Sequence, residues 1–320
     1  MSHVAWDGFA HHDTIFPLFL FIAGVSFPYS VAKQRAGGMS EGRIYAKIVR
    51  RGLTLVVLGM VYNGLFKLDF ENLRIASVLG RIGLAWSIAA VLYLNFGVKT
   101  RAAIAVAVLA GYGALSALVA APDAAGAGPL TFEGNLAGYI DRQFLPGKLI
   151  YGSFDPEGLL STVPAVVTAM LGMFTGEFVR RGDIRGGRKT LWMAAAAAAL
   201  LAVGLAFSGV LPVNKKLWSS TFVCVVGAYS LGMFALFYYL IDVRGWRRWP
   251  LFFRVVGLNS ITIYLAQRIV GFGRISDFFL GGIASKCPEA VAAVISSAGY
   301  VAVCWLFLYF LYRKNVFLKV

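Results

Sequence analysis

The sequence predicts an all-α, polytopic transmembrane bundle of about nine spans, and three observations predict it. Hydrophobic residues make up 59% of the 320 positions and charged residues only 14%, where a soluble domain carries about 25% charged residues. That is too few for a water-facing surface. Apolar runs recur along the whole chain, near 14–33, 52–66, 75–96, 102–121, 157–179, 190–209, 219–241, 252–270 and 290–311, and a span needs roughly 20 residues. Lys and Arg gather in the short connections between these runs, as orientation signals do, so the net charge of +15 does not indicate nucleic-acid binding. Cys224, Cys287 and Cys304 form no close pair, which indicates neither a disulfide framework nor a zinc knuckle. No soluble domain stands out, and residues 1–320 read as one transmembrane domain.

Alternate connections are strongly basic. The first holds Lys33, Arg35, Arg43, Lys47, Arg50 and Arg51, and the next basic one Lys99 and Arg101. Arg180, Arg181, Arg185, Arg188 and Lys189 follow, then Arg244, Arg247, Arg248 and Arg254, then Arg313, Lys314 and Lys319. By the positive-inside rule this set, with the C-terminus, is cytoplasmic. An odd number of spans then puts Met1 outside, although residues 1–13 carry no secretory signal. A helix missing upstream of Met1 is the simpler expectation.

Ionisable groups within a membrane mark function by default. All three histidines, His3, His11 and His12, lie in the first twelve residues beside Asp7 and Asp13, at the predicted outer mouth of the first span. Histidine is the side chain best suited to proton transfer near neutral pH. A metal site is not indicated, because no ligand spacing is matched. His11 and His12 fit solvated interfacial residues better, and the residues alone leave His3 open. Arg74 and Arg81 stand two helical turns apart and are expected on one face of the third span. Arg74 at the interface could snorkel, whereas Arg81 is deeper and needs a carboxylate or an anionic ligand. The long connection 122–156 contains Gly134–Arg142 and leads into Asp155-Pro156-Glu157-Gly158, where helix capping and a substrate role compete for Glu157. Pro212-Val213-Asn214-Lys215-Lys216 forms another outside loop. Asn259-Ser260 can bond neighbouring helices, and Gly172 with Gly176 reads as a packing pair.

These segments, in this order, resemble the membrane acyltransferases related to heparan-alpha-glucosaminide N-acetyltransferase, whose bacterial relatives include proteins labelled as N-acetylglucosamine-related transporters. The resemblance rests on His3-Val-Ala-Trp6-Asp7-Gly8 with Asp13-Thr-Ile-Phe-Pro17 running to Gly24, and on Leu73-Arg74-Ile75 with Val78-Leu79-Gly80-Arg81. Gly138-Tyr-Ile-Asp-Arg142, Asp155–Gly158, Leu211–Lys215 with Leu217-Trp218, Asn259-Ser260-Ile261 and Tyr312-Arg-Lys314 continue it. It covers essentially the whole chain. It implies His3 as the catalytic residue, with Asp7 standing where the family has Asn, and a preceding helix that this chain lacks.

The resemblance further implies acetyl transfer from cytosolic acetyl-CoA, as co-substrate and without a metal, to an amino-sugar acceptor of glucosamine type on the far side of the membrane. His3 would serve as general base or as acetyl acceptor, a choice the residues leave open. Asp13, Arg74, Arg81, Glu157, Asn214 and Asn259 are the candidate substrate-binding residues, with Asp13 placed to orient His3 or to pair with Arg81. Basic cytoplasmic loops suit the phosphates of CoA. The expected setting is a bacterial inner membrane, with the lipid bilayer as partner and a homodimer compatible with the sequence. A transporter of amino sugars is the competing class, although no internal repeat supports it. A degenerate scaffold without chemistry is the third.

Overall fold

A computed structural model describes residues 4–247 and 249–318, so His3, Arg248 and Lys319 lie outside the described residues. The described residues form helices joined by loops, with two isolated β-bridges, and fall into two compact units, divided after Arg244. In the first, a short 3-10 turn (His11–Thr14) leads into α1 (Ile15–Ala36), followed by α2 (Glu41–Tyr62), α3 (Val78–Asn95) and α4 (Val98–Leu118). The long connection then carries α5 (Leu136–Phe144) before α6 (Leu159–Arg180), α7 (Gly186–Ala206) and α8 (Ser220–Tyr238), which runs on through a π-helical turn. The second unit holds α9 (Leu251–Leu258), α10 (Ser260–Ile269), α11 (Phe272–Ala284) and α12 (Glu289–Arg313).

Seven described helices are long and apolar enough to cross a membrane, where the sequence predicts nine. The two shortfalls have different causes. α2 has the length, but Arg43, Lys47, Arg50 and Arg51, expected in a connection, occupy its first half. Long cationic side chains on a helix reach toward the interface and cover apolar surface with their stems, and the Arg51 guanidinium lies 4.3 Å from the Trp86 ring centroid. The run at 252–270 is broken at Asn259, whose backbone leaves the helical region between α9 and α10. The chain is a multi-pass membrane protein.

α6 is the centre of the first unit and the most buried of its candidate spans. It runs parallel to α1 and packs also on α3, α4 and α8. The α1–α6 seam explains the glycine pair: a Cβ on Gly172 would lie 2.0 Å from the Phe21 carbonyl oxygen, and one on Gly176 2.2 Å from that of Val25. Only residues without a side chain let the two backbones approach so closely, as small-xxx-small seams do in membranes. In the second unit α11 packs on α12, and Phe252 of α9 stacks on Trp305 at 5.7 Å between centroids.

Candidate functional site

At the end of the first unit where α1, α3 and α6 begin, segments far apart in sequence are tied together. The backbone N–H of Gly8 donates to the Val213 carbonyl at 2.8 Å, and Trp6 Nε1 donates to the Leu130 carbonyl at 2.9 Å. Lys216 Nζ donates to the Ala5 carbonyl at 2.6 Å and lies 4.4 Å from the Tyr151 ring centroid, where a cation is attracted to the ring face. Trp6 packs edge-on against Phe132 and Phe154, at 5.2 and 6.0 Å. The segment following His3 is thus held by both of the loops that the sequence places outside.

Asn214 anchors this arrangement. Its Nδ2 donates to Asp7 Oδ1 at 3.1 Å, its Oδ1 accepts from the Leu217 N–H at 2.9 Å, and its own N–H reaches Ser219 Oγ at 3.0 Å. Ser219 in turn caps α8. The Asp7 carboxylate is thus met by an amide donor. Asp13 is buried; it accepts from the Ala10 N–H at 3.1 Å and pairs with Lys215 at 3.2 Å.

A second polar cluster sits between α3 and the start of α6. Arg74 and Arg81 do not share a helix face as expected, because α3 begins only at Val78 and Arg74 lies before it, in a β-bridge with Gly147. Arg74 binds Asp155 through two nitrogens, Nε and Nη2, each at 2.7 Å, and also contacts Glu157. Burial opposes the Arg74 charge, but the hydrogen bonds and negative charges of Asp155 and Glu157 outweigh it and raise the guanidinium pKa above its usual value. This fork geometry fixes position as well as charge. It is an ion pair, not a snorkelling side chain.

Arg81, only 2% exposed, has no carboxylate within bonding distance among the described residues. It donates to Ser161 and, at 3.3 Å, to Thr162 Oγ1, and its guanidinium lies 5.0 Å from the Trp218 ring centroid. Among the described residues its Nη1 has no hydrogen-bond partner. Trp218 is itself held at φ +51°, a conformation uncommon for a bulky residue and often found at functional sites. It packs against Phe16 at 4.9 Å and donates from Nε1 to Thr168 at 3.2 Å.

Capping of α6 falls to Asp141, whose Oδ1 accepts from the Leu159 N–H at 2.9 Å; Glu157 is left facing Arg74 and an adjoining groove. Gly158 is required here, since a Cβ would lie 1.9 Å from Asp141 Oδ2. Burial pushes the Asp141 carboxyl up to about 6, and Asp155 adds to the rise. Arg142 ties this segment down by bonding Asp123 and the Ser153 carbonyl.

Of the candidate residues, Asp13 and Asn214 meet at the N-terminal segment, and Arg74, Arg81 and Glu157 form the second cluster. Trp218 joins the two, being in the loop of Asn214 and against Arg81. Asp13 pairs with Lys215, and Arg81 bonds to hydroxyls. Asn259 belongs to the second unit, where it donates to the Val316 carbonyl and accepts from Thr262, both at 3.2 Å. His3 lies outside the described residues. Sequence reading misses Asp155 and Asp141, which there look like turn and helix residues, and Trp218, whose signal is its place in the Leu217-Trp218 motif. Among the described residues no group of three His, Cys, Asp or Glu side chains is placed to hold a metal.

A family model described as "Heparan-alpha-glucosaminide N-acetyltransferase, catalytic" matches residues 1–206. The chain is 28% identical to heparan-alpha-glucosaminide N-acetyltransferase of Homo sapiens over 377 aligned residues and 26% identical to that of Mus musculus over 374. Both alignments cover the whole chain but 56% of the relative. The chain thus spans about half the length of the curated relatives it matches.

Proposed function

Because the chain belongs to the heparan-alpha-glucosaminide N-acetyltransferase catalytic family, we propose that it transfers an acetyl group from acetyl-CoA to an amino sugar, with His3 as the catalytic residue. The observation that carries this reading is the clamping of residues 5–8 by Leu130, Val213, Asn214 and Lys216. A residue that performs proton transfer must be held within hydrogen-bond reach of its target, and here the chain immediately after His3 is fixed at four points.

In the transfer, the amine nitrogen attacks the thioester carbonyl, the C–S bond breaks, and the amine proton ends on the CoA thiol. His3 either takes that proton as general base, or first accepts the acetyl group on its ring and passes it to the amine. The thioester comes from the cytosolic side, where the basic connections attract its phosphates. The amino sugar meets it at the opposite end, in a bacterial inner membrane with the C-terminus cytoplasmic. The ordered polar groups around Asp7, Asp13, Asn214, Arg74 and Glu157 serve to position the sugar and exclude misaligned approach.

The test is transfer of radiolabelled acetyl from acetyl-CoA to glucosamine by the full-length protein in sealed vesicles. Transfer is expected with the native residue and absent with His3→Ala. Acid quenching before addition of glucosamine distinguishes the two routes, because only an acetyl-imidazole leaves label on the protein. Unchanged transfer by His3→Ala overturns the assignment. Sugar uptake independent of acetyl-CoA, with no acetylated product, overturns the enzyme reading in favour of transport.

A further inference from the structure

A groove lies beside Arg81. It has a volume of about 450 Å³ and follows α3 past Arg81, Leu84, Ile88 and Leu92, with Val163 and Val166 of α6 opposite. From Ser77 to Leu92 it runs about 22 Å at 1.5 Å per residue, longer than the roughly 15 Å depth of one leaflet's hydrocarbon. Leu84, Ile88 and Val163 are exposed, so the groove opens sideways into what is hydrocarbon in a membrane. An apolar groove alone would hold only passing lipid tails. This one ends on a buried guanidinium with an unpartnered nitrogen and on the Glu157 carboxylate.

An unsatisfied donor in such surroundings is costly. Asp155 and Glu157 face Arg81 from the head of α6, but the bonds they make to a guanidinium go to Arg74. Among the described residues Arg81 has hydroxyls and a ring face as partners. A ligand supplying an anionic oxygen would complete its bonding. One that also carried an ammonium or hydroxyl would meet Glu157.

The geometry points to a lipid-linked amino sugar: a single hydrocarbon chain in the groove, a phosphate on Arg81 and the sugar against Glu157. This rests on the acetyl-transfer reading for the sugar, and it names the acceptor as membrane-borne. Trp218, beneath Arg81 and in the loop that holds Asp7, places such a head next to the clamped N-terminal segment.

The experiment measures binding of radiolabelled hexadecyl phosphate to the full-length protein in nanodiscs of zwitterionic lipid, without acetyl-CoA, with hexadecanol and inorganic phosphate as competitors. Hexadecyl phosphate is expected to bind at least about tenfold more tightly than either, the size of one charge-assisted hydrogen bond. Arg81→Gln is expected to remove that advantage, Arg81→Lys to retain part of it, and Ile88→Trp, which fills the groove without touching Arg81, to lower binding of the chain-bearing probe. Equal binding of hexadecyl phosphate and hexadecanol, or full competition by inorganic phosphate, overturns the proposal. So does unaltered binding in Ile88→Trp, which keeps the test decisive if Arg81→Gln fails to fold. With acetyl-CoA added, hexadecyl-phosphate-linked glucosamine is expected to show at least a tenfold lower KM than free glucosamine. Transfer to free glucosamine without selective binding sinks this inference alone, while selective binding without any transfer sinks the enzyme reading alone.

Discussion

The two ends of the first unit are built by different chemistry. Where α1, α3 and α6 begin, polar partners are remote in sequence: Arg74 and Asp155 are 81 positions apart, Trp6 and Leu130 124, Asp7 and Asn214 207. At the other end, Arg35 pairs with Glu41 six positions on and Arg181 with Asp183 two positions on. Two remote contacts also occur there, Arg101 with Glu177 between α4 and α6 and Arg180 donating to the Pro28 carbonyl at 2.8 Å, but the exposed carboxylate pairs at that end are local. Remote, buried pairs hold loops in a single arrangement, whereas local, exposed pairs only decorate a helix end. The site lies at the end that has the remote pairs.

The largest test of this difference is Arg74→Ala. It leaves Asp155, 0% exposed, as a buried charge without its cation, and breaking such a pair is worth about 3–5 kcal/mol. A lowered unfolding midpoint in detergent, with loss of acetyl transfer, is expected; Arg74→Lys recovers part, because a point charge cannot reproduce the fork. An unchanged midpoint would show that the cluster does not hold the loops.

Asp141 gives a pH-dependent version. Its carboxyl titrates at about 6 when folded against 3.8 ordinarily, so the folded state binds the proton more readily between those values. The stabilising contribution is complete below 3.8 and is lost as pH rises through about 6. At pH 7 the ionised group therefore weighs against folding by about 3 kcal/mol. Asp141→Asn keeps the acceptor for the Leu159 N–H, and is expected to be more stable than the native protein at pH 7 and equal to it near pH 4. A difference independent of pH would contradict the assignment. Asn214→Ala follows, with about 1–3 kcal/mol for the unpaired Leu217 N–H and the lost bond to Asp7, read as a lower midpoint and weaker transfer.

How much of this was legible follows from which contacts are local. The helical class, most span positions and the Gly172–Gly176 pair are written in composition and short spacing. The basic first half of α2 misleads, because charge content says connection while four cations on a helix can still reach the interface. Asn259 looks like an interior residue of one span and instead divides two helices. At the site, Asp13, Arg74, Arg81, Glu157 and Asn214 are recognisable as polar residues near membrane ends. Their partners are not, since nothing in the order of residues says that Asp155 faces Arg74 or that Asp7 meets Asn214. Trp218 and Asp141 act through tertiary position alone: one is a ring under a guanidinium, the other caps a helix that starts 18 positions later.

The smallest effect is the sharpest check on the comparison. Arg35 and Glu41 make two short hydrogen bonds, at 2.7 and 3.0 Å, which is as good a geometry as Arg74 with Asp155. Their side chains are 46% and 54% exposed. In water each charge is already solvated, and fixing two long side chains offsets what the pairing gains. If burial and not bond geometry separates the two ends, Arg35→Ala, Glu41→Ala and the double variant should all unfold at the native midpoint within error, in low salt and in high. A coupling as large as that of Arg74 with Asp155 in a double-mutant cycle would mean that bond geometry alone sets the strength. The contrast between the two ends would then lose its physical basis.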